Sequence, residues 1–293
     1  MIQYIKRQEI DTQKYDLCIT SSKNSRIYAF SWYLDIVADN WDVLILNDYE
    51  VVMPLPWRSK YFIKYIYPPC WTQQLGVFSS DEISKELVSK FVNNIPKKFK
   101  KVTINFNSGN QPFDNTISER INYILSLDKP HNELFEGYKQ VRKRSVKKVK
   151  GIVIEYNQSE IRGVIELHKG QKRFGLNDAK KPNYHALEEL INCLLIRNQI
   201  DIVIAKNEKG EILGGAFFLK GIKRITYLVS AISDEGRSKQ VMTLIINSII
   251  EKYAKTNWTL DFEGSMIPGI AFFFKSFGSK KEMYGCISKA NLR

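Results

Sequence analysis

The stretch "LDFEGSMIPGIAFFFKSFGSKKEMY", residues 260–284, carries the reading of this 293-residue chain. It completes a strand, "WTLDFEG", passes through a helix, "IPGIAFFFKSFG", and leaves as a final strand, "EMYGCISKA". Asp261 and Glu263 flank Phe262, so along a strand both carboxylates point to one face. Two acids at a strand end read as a general base and an amine anchor, with Glu263 nearer the end, or one of them caps the following helix. Lys275 stands in an aromatic run. Alone it reads as a packed stem with its ammonium in water.

Upstream, the second half alternates its elements. "GIVIEYN" reads as a strand, "SEIRGVIELHKGQKRFG" and "ALEELINCLLIRNQ" as helices, and "DIVIAKN" as a strand. "ILGGAFFLKGIKRITYLVSAIS" is two strands joined at Lys220–Lys223, "VMTLIINSIIEKYAKT" an apolar helix, and "WTLDFEG" the next strand. Such alternation predicts a mixed sheet with helices on both faces. Tyr227 and Ser230 lie on the strand "ITYLVSA", and Tyr284 on the last strand. All three are candidates to line an opening in that sheet, or else core-edge residues bonded to backbone.

At the head of this half, "HNELFEGYKQVRKRSVKKVKG" reads as one helix over 131–150. Phe135, Tyr138, Val141, Ser145 and Val149 fall at steps of three and four and mark its packed stripe. The cations, Arg142, Arg144, Lys147 and Lys148 among them, fall mostly off it. They are a solvated face, a complement to the helix dipole, or contacts to an anionic ligand. The first half reads as a helix over "SRIYAFSWYLDIVADN" and a hairpin, "WDVLILN" and "YEVVMPLPW". A strand "YFIKYIYPP", a helix over 81–95 and a strand "KVTINFN" follow. Two domains are expected, 1–120 and 121–293, with the boundary in 110–125.

Composition narrows the function classes. Forty-four Lys and Arg against 31 Asp and Glu leave a formal charge of +13, which favours anionic partners. Cys18, Cys70, Cys193 and Cys286 form no CxxC pair, and no histidine lies three or four residues from another, so no metal site is expected. The N-terminus lacks a signal-type apolar core, and runs such as "VMTLIINSII" are too short to span a bilayer. A reducing, cytoplasmic setting is expected.

The element order resembles the GNAT acyltransferase superfamily. Residues 260–284 resemble the closing signature of its FemABX-like branch through Asp261, Gly264, Phe274, Lys275, Phe277 and Gly278. The first-half strands and the basic segment resemble that branch too. The resemblance implies an α/β (α+β) fold of two tandem GNAT-like domains, each a mixed, mostly antiparallel sheet flanked by helices. It implies acyl or aminoacyl transfer to an amine, with acyl-coenzyme A or aminoacyl-tRNA as donor and Lys275 beside a phosphate or the reacting carbonyl. In the GNAT pattern, the loop "SDEGRSKQ" would hold a pyrophosphate through Gly236, Arg237, Ser238, Lys239 and Gln240. It carries one glycine and two acids, and reads equally as a turn entering a helix. Arg142, Arg144, Lys147 and Lys148 would then track tRNA or meet the diphosphate of a cell-envelope precursor, with peripheral membrane contact. The alternative is a non-catalytic module of this fold that binds such anions through its basic helix.

Overall fold

The computed structural model describes residues 1–111, 117–171, 182–264 and 266–290. The chain divides into two units. One comprises Met1–Ile121, His185–Leu190 and the stretch from Glu282, and the other Asn122–Tyr184 and Ile191–Lys281. The C-terminal strand and part of one helix thus belong with the N-terminal residues, an arrangement no contiguous division of the sequence contains.

In the first unit come β1 (Ile2–Lys6), α1 (Thr12–Ser21), α2 (Ser31–Val37), β2 (Asn40–Leu46) and β3 (Val51–Lys60). They are followed by β4 (Ile63–Ile66), β5 (Phe78–Ser79), α3 (Lys85–Asn93) and β6 (Phe99–Asn105). β1 to β4 pair antiparallel in chain order, and β6 returns parallel to β4 after α3. The helix expected over 25–40 is shorter, because only Ser31–Val37 is α-helical. β1 and α1 have no counterpart in the sequence reading, although Asp11 caps α1 by accepting from the N–H groups of Gln13 and Lys14. α3 turns Val88, Phe91 and Val92 into a core with Leu55, Phe99 and Ile104. Each such buried side chain contributes about 1.5–3 kcal/mol.

The chain continues with β7 (Ser118–Ser126), α4 (His131–Glu136), α5 (Gln140–Lys148), β8 (Ile152–Tyr156), α6 (Ile161–Gly170) and α7 (Tyr184–Ile196). Then follow β9 (Ile200–Asn207), β10 (Ile212–Lys220), β11 (Arg224–Ile232), α8 (Asp234–Ser238), α9 (Val241–Tyr253), β12 (Thr259–Asp261), α10 (Pro268–Lys275) and β13 (Lys280–Ala290). The end of the helix expected over 159–175 lies outside the described residues past 171. β13 pairs antiparallel with β6. In the second unit, β8 to β11 pair antiparallel in order, and β12 returns parallel to β11 after α9. β7 pairs antiparallel on the outer side of β12. Each unit therefore contains four antiparallel strands, a helix and one parallel return. No helix among the described residues is long and apolar enough to cross a membrane.

α9 is buried almost all round, because β8, β9 and β10 cover one side and α4 and α5 the other. Here the structure corrects the single basic helix. The chain breaks at Gly137–Lys139, where the Lys139 N–H donates to the Ser276 carbonyl and Tyr138 turns inward onto Phe277. The break resets the helical phase. Val141 becomes 43% exposed, and Arg142 becomes the buried residue of α5.

Candidate functional site

β11 and β12 stay paired over three residues only, Arg224–Thr226 against Thr259–Asp261. β12 stops because Glu263 and Gly264 both take positive φ (57° and 58°), which turns the chain off the sheet. Asp261 anchors the end of the pairing. Its Oδ2 accepts from Arg224 Nε at 2.6 Å, and its Oδ1 from Asn122 Nδ2 and the Glu263 N–H, both at 2.9 Å. Asp261 is 1% exposed, and both of its oxygens accept hydrogen bonds at the end of the strand. Glu263 does not continue the strand alternation with it, because its backbone is left-handed.

Past Thr226, β11 runs on along a cavity of about 320 Å³ inside the second unit. β11 supplies Tyr227, Ser230 and Ile232 to the wall. Strict alternation would put Tyr227 on the opposite face from Ser230. The β10–β11 register shifts at Phe217/Phe218, leaving Leu228 as an extra residue between Tyr227 and Val229. That bulge re-aims Tyr227 into the same wall. Burial raises the pKa of the Tyr227 hydroxyl well above its ordinary value, against a hydrogen bond with Ser230 that acts the other way. It therefore stays protonated, a hydrogen-bond donor at neutral pH. Its ring packs on Phe218 and edge-on to Phe274.

The facing wall is the start of α9. Gln240, its N-cap, holds a left-handed φ of 55°, and Met242 and Thr243 follow into the cavity. Behind them lies Arg142. Its Nη1 donates to Gln240 Oε1 at 3.0 Å and to Thr243 Oγ1 at 2.5 Å, and its guanidinium lies 5.0 Å from the Phe273 ring centroid. Arg142 is 6% exposed and its Nε has no hydrogen-bond partner. Burial lowers its pKa, and among the described residues no carboxylate pairs with it. A buried cation with only neutral acceptors is incompletely compensated and suits a ligand anion. Arg237 adds a second cation to the wall, and Ile270, Phe273 and Phe274 of α10 make the remaining side apolar.

The loop expected to hold a pyrophosphate is different in kind. Residues 234–238 form α8, and four N–H groups of this stretch have internal acceptors. Gly236 donates to Ser233 Oγ, Arg237 to the Ser233 carbonyl, Lys239 to that of Glu235 and Gln240 to that of Arg237. A Cβ on Gly236 would stand 2.1 Å from the Leu213 carbonyl oxygen, so the glycine serves contact with β10. The Ser238 hydroxyl donates to the Glu235 carbonyl, and Lys239 pairs with Glu235 at 2.7 Å. These four N–H groups are engaged within the segment rather than directed at a ligand.

The cavity thus brings together Tyr227, Ser230, Arg237 and Gln240, with Arg142 behind. Lys275 is exposed at the end of α10 and does not line the cavity. Arg144, Lys147 and Lys148 are exposed on α5. Tyr284 is buried on β13, in the first unit. Thr243, Phe273, Phe274 and Gln171, whose amide donates to the Ile232 carbonyl at 2.8 Å, were not foreseen in the wall. They belong to three separate segments, and the sequence carries no signal that joins them.

The second unit thus sets a short parallel return beside a helix N-terminus in an α+β arrangement. No protein-family model and no curated protein matches the chain. Among solved structures it is similar to FemX, with a TM-score of 0.69 at 14% identity over 97% of this chain and 96% of that one. It is also similar to the C-terminal domain of a putative lysylphosphatidylglycerol synthetase from Agrobacterium fabrum (TM-score 0.57, 12% identity, 94% and 91% covered). L-PGS from Bacillus licheniformis gives a TM-score of 0.52 at 12% identity, covering 97% and 93%. The chain has a FemABX-like fold.

Proposed function

We propose that the protein is an acyltransferase built from two GNAT-like domains, which moves an aminoacyl group from an ester donor of the aminoacyl-tRNA type to an amine. The observation that carries this reading is the divergence of β11 from β12, which opens a cavity where Tyr227 and Ser230 face the N-terminus of α9. In the reaction the amine nitrogen attacks the ester carbonyl, the new C–N bond forms, the C–O ester bond breaks, and the amine proton ends on the released ribose hydroxyl. Tyr227, protonated, donates to the carbonyl oxygen as charge develops there. Arg142 and Arg237 hold a phosphate of the donor. The internal acceptors of the Gly236, Arg237, Lys239 and Gln240 N–H groups favour this donor over acyl-coenzyme A. Glu263 as base and Lys275 as a charge toward substrate phosphate remain proposed roles. Both lie outside the cavity wall, which suits a donor or acceptor large enough to extend past α10.

The test is a transfer assay with charged tRNAs and acyl-coenzyme A thioesters against amine acceptors, including phosphorylated cell-envelope precursors. Transfer from a charged tRNA is expected. Transfer from neither donor class, with tRNA binding retained, would replace this reading with the non-catalytic binding module.

A further inference from the structure

The β3–β4 hairpin of the first unit closes through Tyr61 and Phe62, whose φ values are 50° and 63°. A two-residue loop with both central residues left-handed follows the type I′ pattern, which selects Asn-Gly or similar pairs. Bulky side chains are disfavoured there. This loop nevertheless carries two aromatics and leaves them bare. Tyr61 is 84% exposed, Phe62 is fully exposed, and Ile63 beside them is 53% exposed. Backbone preference and hydration both argue against these residues at this tip, so their presence points to a surface outside the chain that takes the rings.

The charge around the tip says which surface. Residues 51–80 contain no Asp or Glu and three cations, Arg58, Lys60 and Lys64. Arg58 is engaged by Asp39 and the Tyr67 ring, whereas Lys60 lies 5.4 Å from the Tyr61 ring centroid and Lys64 4.7 Å from that of Trp57. β6 lies next to β4, with Lys64 in register with Phe99, and it starts among Lys97, Lys98, Lys100 and Lys101. Burial lowers the pKa of Lys98; Asp42 opposes this, while the charges of Lys64 and Lys6 add to it, so these ammonium groups are close enough to repel.

We propose that the Tyr61–Phe62–Ile63 tip enters the interfacial layer of a membrane bearing anionic phospholipid, with Lys60, Lys64 and the lysines at the start of β6 facing the headgroups. Aromatic side chains sit favourably at the water–hydrocarbon boundary, and a basic cluster adds the second signal that stable peripheral binding requires. A base-stacking platform tracks a groove. This is a projecting tip that includes an aliphatic side chain, which fits acyl chains better. The hairpin lies outside the second-unit cavity, so the proposal stands whether or not the protein transfers acyl groups.

The experiment is co-sedimentation of the full chain with vesicles of phosphatidylcholine alone or mixed equally with phosphatidylglycerol. The wild type should sediment with the anionic vesicles, and added salt should release it. Tyr61→Asn with Phe62→Gly installs residues the turn prefers, so the unfolding midpoint should hold or rise while partitioning falls about tenfold or more. Lys60→Gln and Lys64→Gln should each lower it about fivefold. Unchanged partitioning of the turn variant would overturn the proposal, as would absent binding or equal binding to neutral vesicles. Loss in that variant of single-stranded RNA binding, or of a dimer, without vesicle binding would assign the tip to that partner instead.

Discussion

Replacing Arg142 with methionine separates a ligand-binding guanidinium from one that merely holds the fold. Methionine keeps a long unbranched stem and removes the charge. The wild-type side chain makes two hydrogen bonds, to Gln240 and Thr243, and a contact with the Phe273 ring. Hydrogen bonds from a charged donor contribute about 1.5–3 kcal/mol each, and a desolvated cation–π contact about 2 kcal/mol. Against this stands the penalty of burying a guanidinium that is 6% exposed with an unpartnered Nε, several kcal/mol for an uncompensated ion. The two sides are of similar size. R142M should therefore change stability by no more than about 2 kcal/mol, a few degrees in Tm for a chain of this length.

Ligand binding should respond differently. Loss of one phosphate contact should weaken tRNA binding about tenfold and reduce the slope of log K against log salt by about one. R142K keeps the charge without the fork of donors and should recover only part of the affinity. Thermal unfolding and a salt-dependent binding titration read the two effects independently. An R142M variant destabilised by more than about 4 kcal/mol, with affinity and salt slope unchanged, would show that the buried cation is structural and that its missing counter-charge has no bearing on ligand.

Three further outcomes follow from the same geometry. Tyr227→Phe keeps the packing on Phe218 and Phe274 and removes the donor, so kcat should fall about 100-fold with donor affinity intact; an unchanged kcat would remove Tyr227 from the chemistry. Gly236→Ala sets a methyl against the Leu213 carbonyl and should destabilise by about 2 kcal/mol or more, so an unaltered unfolding midpoint would refute the close approach of α8 to β10. Burial pushes the Asp35 carboxyl up, but the hydrogen bonds from Arg7 and Trp41 outweigh it and hold its pKa below the ordinary value. The resulting stability is present above the unfolded carboxylate pKa and is lost as pH falls through the lower folded value. Asp35→Asn should flatten that acid limb in unfolding scans, and an identical limb in wild type and variant would count against it.

The sequence by itself determined the element types and most of their order. β2, β3, β6, β9, β10, β11, α9 and α10 follow from apolar periodicity and from turn residues, which act over a few neighbours and so can be read locally. The family resemblance of residues 260–284 led to the fold that the FemX likeness bears out. Tertiary structure decided the rest, because the remaining features depend on partners distant in the chain. The break at Gly137–Lys139 answers Ser276 and Phe277, and it places Arg142, which the sequence sets off the apolar stripe, on the buried side. The bulge at Leu228 arises in pairing with β10 and gives Tyr227 and Ser230 a common wall despite their odd spacing. The bonds of Asp261 could not be read locally, because Arg224 and Asn122, which donate to it, lie 37 and 139 residues away. Periodicity reports which side of an element is apolar. Only packing reports which charge that side has enclosed, and for Arg142 and Asp261 that difference separates a candidate ligand contact from a structural ion pair.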